Sequence, residues 1–193
     1  MSRKLYIIAG EPSGDLHGAH LVRALQKEDP EIIFRGFGGP KMAEAGVRLD
    51  QTLDKLSYMG FAEVIKHLPQ IRKNFSLAKK AIQDWQPDGV IFVDFPGFNM
   101  RMAKWTRAKG YRNFYYIAPQ AWAWKASRAE KLKKYVDELF CILPFEEAFF
   151  DGYGLKVHYV GHPLVDIIRE YFDRQNPEAW QKEEKVLAVE ALL

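Results

Sequence analysis

Glu11, Ser13, Asp15 and His17 crowd into one short stretch, Ala9-Gly10-Glu11-Pro12-Ser13-Gly14-Asp15-Leu16-His17. The apolar run Leu5–Ala9 precedes it, and a helical pattern with Leu16, Ala19, Leu21, Val22 and Leu25 follows. A strand feeding a glycine-bearing turn and then a helix start is how α/β domains build ligand sites. The unpaired amides of a helix start favour an anion or a sugar hydroxyl. The four polar side chains exceed what a connection needs. A second focus is Asp94, at the end of the apolar run Val90-Ile91-Phe92-Val93. An acid there loses hydration unless it has partners or a task. Partly desolvated, it can titrate high enough to act as a general base. It could equally cap the helix expected from Phe98, and the residues alone leave the two readings balanced.

Two aromatic features could meet a substrate. Trp122 and Trp124 sit two apart in Pro119-Gln120-Ala121-Trp122-Ala123-Trp124-Lys125, where a turn would ordinarily be polar. They could stack on a sugar, cover an acyl chain or pack beneath a helix. Tyr58, Met59, Phe61, Leu68 and Ile71 belong to an apolar stretch that Pro69 divides. They are too many for one helix face, so the stretch reads either as core or as a surface for lipid.

Several chemistries are excluded. Gly10-Glu11-Pro12-Ser13-Gly14 lacks the dinucleotide spacing, and Gly36-Phe37-Gly38-Gly39 lacks its last glycine. There is no P-loop, and Glu11 stands where a serine-hydrolase elbow needs glycine. His17 and His20 form only a weak pair, without metal-ligand spacing, and the single cysteine, Cys141, lies in the apolar run Leu139–Leu143 as a core thiol. The residues thus offer no metal-ligand cluster.

The elements that must position these groups alternate. Strands are expected at Lys4–Ala9, Ile32–Gly38, Gly89–Asp94, Asn113–Ala118, Glu138–Leu143 and Val157–Val160. Helices are expected at Gly14–Lys27, Pro40–Ala45, Gly60–His67, Gln70–Trp85, Phe98–Lys109, Ser127–Val136 and Glu146–Tyr153. That rhythm predicts an α/β fold with a Rossmann-like parallel sheet and helices on both faces. Ligands then bind at the carboxyl ends of the strands, where Glu11, Ser13, Asp15, Asp94, Asn99, Gln120 and His162 should share one rim.

With 193 residues, 48% hydrophobic and 27% charged, the chain can bury one good core. The expected division is a domain over 1–172, then 173–193, whose polar part over 173–185 reads as a linker or a solvated helix before the start of another strand. Neither a signal peptide nor a membrane span is visible, which predicts a cytoplasmic protein, peripheral to a membrane at most. Net charge is +3, yet ten Lys or Arg and one acid lie between Arg101 and Lys134. Such a run reads as a solvated helix face or a surface for phosphates, anionic lipid or nucleic acid.

Further motifs join those already quoted: Gly38-Gly39-Pro40-Lys41-Met42, Met59-Gly60-Phe61-Ala62-Glu63-Val64, Val93-Asp94-Phe95-Pro96-Gly97-Phe98-Asn99, Tyr116-Ile117-Ala118-Pro119-Gln120-Ala121-Trp122-Ala123-Trp124, Leu143-Pro144-Phe145-Glu146 and Val160-Gly161-His162-Pro163-Leu164. Together with Ala9–Asp15, and in this order, they resemble the lipid-A-disaccharide synthases, glycosyltransferases of the two-domain GT-B type. The likeness runs from Leu5 to about Asp166 and covers the amino-terminal domain.

The resemblance implies transfer of 2,3-diacylglucosamine from UDP-2,3-diacylglucosamine to the 6-hydroxyl of 2,3-diacylglucosamine 1-phosphate, with inversion and a β-1,6 linkage. It implies Asp94 as base with Glu11 beside it as a second catalytic group, and no metal and no cofactor, the UDP-sugar being a substrate. Gly10, Ser13, Gly14, Asp15, His17, Asn99, Gln120, Trp122 and His162 become substrate contacts. Tyr58, Met59, Phe61, Leu68 and Ile71 become contacts to acyl chains or the membrane. The implied location is the cytoplasmic face of the inner membrane of Gram-negative bacteria. No nucleic-acid partner is implied, and a homodimer is left open. The family's donor domain begins with a strand and a Leu-Pro-Gly-Ser-Arg turn, and Glu190-Ala191-Leu192-Leu193 stands in that place here. This half alone is therefore expected not to turn over. The rival readings are a nucleotide-dependent oxidoreductase, disfavoured by the missing fingerprint, and a non-catalytic lipid- or partner-binding domain.

Overall fold

A computed structural model describes residues 2–56, 68–124 and 127–175. The elements, in order, are β1 (Lys4–Ala9), α1 (Pro12–Glu28), β2 (Ile33–Gly38), α2 (Pro40–Glu44), β3 (Arg48–Thr52), α3 (Leu68–Trp85), β4 (Gly89–Val93), α4 (Pro96–Ala108), β5 (Arg112–Tyr116), α5 (Ala121–Trp124), α6 (Ser127–Tyr135), β6 (Glu138–Cys141), α7 (Phe145–Asp151), β7 (His158–Tyr159) and α8 (Pro163–Gln175). The strands pair in parallel in the order β3-β2-β1-β4-β5-β6-β7. This is the expected Rossmann-like α/β domain.

The central strands read as unbroken apolar runs because both sheet faces are covered. On one face Tyr6, Ile8, Phe92, Tyr115 and Leu139 pack against Ala78 and Ile82 of α3, Phe98 and Met102 of α4 and Leu132 of α6. On the other, Leu5, Ile7, Phe34, Ile91 and Val93 pack against Ala19 and Val22 of α1 and Met42 of α2. Cys141 is buried, as expected of a core thiol, and burial, with the Glu146 and Glu147 charges adding to it, pushes that thiol up to about 11.

Proline starts helices here. Pro12, Pro40 and Pro96 occupy the first turns of α1, α2 and α4, where a missing N–H costs nothing. Pro69 lies within α3, and the apolar stretch before Leu68 lies outside the described residues. The expected helix Gly60–His67 lies outside the described residues.

Three elements were not expected, namely β3, the short α5 and α8. Strand β3, Arg-Leu-Asp-Gln-Thr, has no apolar alternation, and tertiary bonds hold it at the sheet edge. Asp50 accepts from the Arg35 guanidinium at 2.9 Å and 2.8 Å and from the Tyr6 hydroxyl at 2.9 Å. Helix α8 runs through Gln175, so residues 173–175 are helical, and 176–193 lie outside the described residues. The expected strand Val157–Val160 contracts to the exposed pair His158–Tyr159.

Asp15 joins two of these elements. Its carboxylate accepts from the amides of Gly39 at 2.8 Å, Met42 at 2.9 Å and Lys41 at 3.1 Å, the unpaired donors at the start of α2. At 2% exposure it is a buried tie between α1 and α2, its oxygens occupied by main-chain amides. Replacing Asp15 with Ala leaves buried amides without acceptors. A loss of roughly 2–4 kcal/mol is expected. Urea denaturation of the two chains checks it.

Candidate active site

Strand β1 lies between β2 and β4, and the chain leaves β1 and β4 toward opposite faces of the sheet, through α1 and α4. The carboxyl ends of such a strand pair diverge and leave a crevice. Its two walls are the turns Gly10–Glu11 and Asp94–Phe95.

The second turn is strained. Asp94 has φ 42° and Phe95 φ 49°, both left-handed. Such non-glycine residues cost of order 1 kcal/mol or more each and persist only where the surroundings fix them. Here the fixing groups can be named. The Asp94 amide donates to the Tyr116 carbonyl at 3.0 Å, and the Phe98 and Asn99 amides donate to the Phe95 carbonyl at 3.2 and 3.0 Å. The Phe95 ring stacks on Phe98 at 5.7 Å, and Phe98 stacks on Phe75 at 4.1 Å. The Phe95 ring also fills the space beside Gly10, where a Cβ would lie 2.2 Å from it. Gly10 is therefore required by the opposite wall of the crevice.

Asp94 does not cap α4. The capping position belongs to Phe95, with no side-chain cap bond. The half-buried Asp94 carboxyl titrates above the ordinary carboxylate range. Desolvation is the main cause and the Glu11 charge the second; the Phe95 amide and the Arg128 guanidinium oppose them. Of the two readings balanced on the sequence, a helix cap is thus removed.

Around it, Ser13 and Glu11 are exposed, and Gly14 packs against Ala9 with the Val93 carbonyl 3.8 Å from where its Cβ would be. His17 lies near His162 and His20. Burial first, then those two charges, lower its pKa, and its Nδ1 is buried without a hydrogen-bond partner. His162 Nδ1 accepts from the Leu164 amide at 3.2 Å, at the start of α8. Gln120 is exposed beyond β5. Trp122 is 39% exposed, donates Nε1–H to Glu146 at 3.2 Å and meets Phe145 edge-on at 5.0 Å. Glu146 also accepts from the Ile142 and Leu143 amides, at 3.1 and 3.0 Å. Asn99 is fully buried beneath the Asp94 turn, where its side-chain amide donates to main-chain carbonyls.

A cleft of about 350 Å³ opens beside Glu11. Leu56, Ile71, Phe75, Phe95 and Phe98 line it, with Arg101. Leu68, at the start of α3, is 42% exposed. Tyr58, Met59 and Phe61 lie outside the described residues. The basic run is not one patch. Arg107 pairs with Asp137 and Arg112 with Glu138 at 3.1 Å, at the amino-terminal ends of β5 and β6 and away from the crevice. Arg101 faces the cleft, and Arg128 is near enough to act on Asp94. Among the described residues no group of three His, Cys, Asp or Glu could hold a metal ion, and no helix is long and apolar enough to cross a membrane.

Sequence reasoning missed Phe95, Tyr115 and Glu146, whose parts depend on contacts across elements. The raised Asp94 pKa also has a thermodynamic consequence. Between the unfolded and folded pKa values the native state holds more protons than the unfolded chain, so stability falls as pH rises through that window. Asp94→Asn, whose side chain also tolerates the left-handed region, should therefore stabilise the fold at neutral pH. The gain should vanish below the ordinary carboxylate pKa, which urea titrations at about pH 7 and about pH 3 would check.

The family model described as lipid-A-disaccharide synthetase matches residues 5–191. The lipid-A-disaccharide synthase of Trichlorobacter lovleyi is 43% identical over 166 residues, which are 86% of this chain and 43% of the relative. That of Coxiella burnetii is 41% identical over 165 residues, 86% of this chain and 44% of the relative. That of Geobacter sulfurreducens is 40% identical over 173 residues, 90% and 45%. The chain thus spans less than half the length of these curated relatives. Solved structures of UDP-N-acetylglucosamine 2-epimerases share the fold. The Rickettsia bellii enzyme superposes with TM-score 0.61 at 13% identity over 95% of this chain and 50% of its own. The Neisseria meningitidis enzyme gives 0.60 at 12% identity over 90% and 53%. The family match over nearly all of the sequence, with relatives above 40% identity, establishes that this chain belongs to the lipid-A-disaccharide synthase family.

Proposed function

We propose that this domain is the acceptor side of an inverting glycosyltransferase. In the complete protein it joins 2,3-diacylglucosamine, carried on UDP, to the 6-hydroxyl of 2,3-diacylglucosamine 1-phosphate. The observation that carries this reading is Asp94, a half-buried carboxyl with a raised pKa, held in a strained turn at the crevice of a Rossmann-like sheet. Its carboxylate takes the proton of the acceptor 6-hydroxyl as that oxygen bonds to the anomeric carbon. The bond to the UDP oxygen breaks on the opposite side, UDP leaves with the electron pair, and the configuration inverts. One base and one in-line attack complete the step.

Glu11 keeps the site acidic and, at the helix start beside Ser13, can accept from acceptor hydroxyls. The cleft lined by Ile71, Phe75 and Phe98 suits an acyl chain, and Arg101 at its side suits the acceptor phosphate. His17, Gln120, Trp122 and His162 would complete the sugar contacts. A peripheral place on the cytoplasmic face of the membrane follows from acylated substrates. The curated relatives are more than twice as long as the stretch matched here, and we assign the groups that hold UDP to the part this chain does not cover. No metal or cofactor takes part, since helix N-termini and basic groups can stabilise the leaving diphosphate.

The test is made with the domain joined to its carboxy-terminal half. Asp94→Ala should lower the rate of UDP release by about 10²–10⁴-fold with an intact melting transition. A near-normal rate would sink the reading and favour a domain that only binds lipid or a partner.

A further inference from the structure

The Asp94 carbonyl is held from two sides. Asn99 Nδ2 donates to it at 2.8 Å, and the Tyr115 hydroxyl donates to it at 2.7 Å. Both side chains are fully buried. Tyr115 stands on β5 in the middle of the apolar core, where phenylalanine would pack as well; a buried hydroxyl is costly without a partner, and here the partner is this carbonyl. Burial keeps the phenol well above its ordinary range, so it remains a donor.

The Asn99 amide reaches further. The same Nδ2 lies 3.2 Å from the Ile8 carbonyl and 3.2 Å from the Val93 carbonyl. One side chain thus ties the ends of β1 and β4 where they diverge. Its orientation is forced, because the reversed amide would set an oxygen against three carbonyl oxygens. The cost is visible in Asn99 Oδ1, which is buried with no hydrogen-bond partner. Such an unsatisfied atom is tolerated where a site, and not the core, dictates the side chain.

We infer that Asn99 and Tyr115 are positioning residues that clamp the main chain of Asp94 in its left-handed conformation and so fix where its carboxylate stands in the crevice. Neither touches the reacting atoms. Without the clamp, the turn relaxes toward ordinary φ values and the carboxylate swings into water. The clamp's catalytic use rests on the reading of Asp94 as base, but its existence can be tested without activity.

The test uses the 193-residue chain, labelled with ¹³C at the side-chain carboxyl and main-chain carbonyl carbons of aspartate, and follows Asp94 by NMR as pH is varied. In Tyr115→Phe and in Asn99→Ala, Asp94 is expected to titrate lower than in the unmodified chain by about half a unit or more, toward its ordinary range. A merely structural role would lower the melting temperature and leave that titration unchanged, and this result overturns the proposal. If Asn99→Ala does not fold, Tyr115→Phe decides, since it keeps the ring. If neither folds, the unmodified chain decides: the Tyr115 hydroxyl proton should exchange slowly and couple to the Asp94 carbonyl carbon, and its absence overturns the clamp. If the titration moves but the complete protein keeps its rate, the clamp stands and the reading of Asp94 as base fails.

Discussion

Two adjacent parallel strands, β1 and β4, pass their chains to opposite faces of one sheet, so the main chain at the end of β4 must reverse within two residues. Asp94 and Phe95 accomplish this in the left-handed region, at a cost their neighbours must offset. Much of the domain is arranged around that turn. Phe95 is pressed against Gly10, which admits no side chain there. The stack from Phe95 through Phe98 to Phe75 extends the constraint to α3. Asn99 and Tyr115 extend it to β1 and β5. What would be a loop in another fold is thus fixed by four elements, and it carries a carboxyl into the crevice.

The two aspartates of the rim show how position decides use. Asp15 is surrounded by the free amides of α2, and its three hydrogen bonds make it a structural anion. Asp94 is half-buried beside another acid, with its carbonyl satisfied and its carboxyl pushed up by desolvation and by Glu11. A group held in its less comfortable charge state is poised to take a proton. Stability is given up there and recovered in the hydrogen bonds and rings beneath.

The architecture was legible in the sequence because both sheet faces are covered, leaving apolar runs bounded by glycine, proline and charge. β3 was hidden because Arg48, Asp50 and Gln51 carry no alternation, and the strand depends on Arg35 and Tyr6, remote in sequence. The rim was legible from topology alone, which places whatever follows each strand on one edge. The direction of each side chain was not. Asp15 and Asn99 both looked like ligand contacts, and both turn inward because of partners in other elements. Tyr115 was invisible because a tyrosine inside an apolar strand reads as core, and only its hydroxyl, one strand away from Asp94, gives it a role. The basic run looked continuous, yet the turn between α4 and β5 sends Arg107 and Arg112 to the far edge of the sheet.

The central claim is that a carboxyl raised by desolvation and by a neighbouring acid serves as base. The pH dependence of kcat/KM for the complete protein tests it most directly when compared with that of Glu11→Gln. The acid limb should lie above the ordinary carboxylate range, and it should move down when the Glu11 charge is removed. An acid limb that stays where it was in Glu11→Gln, or no acid limb at all above that range, would contradict the account.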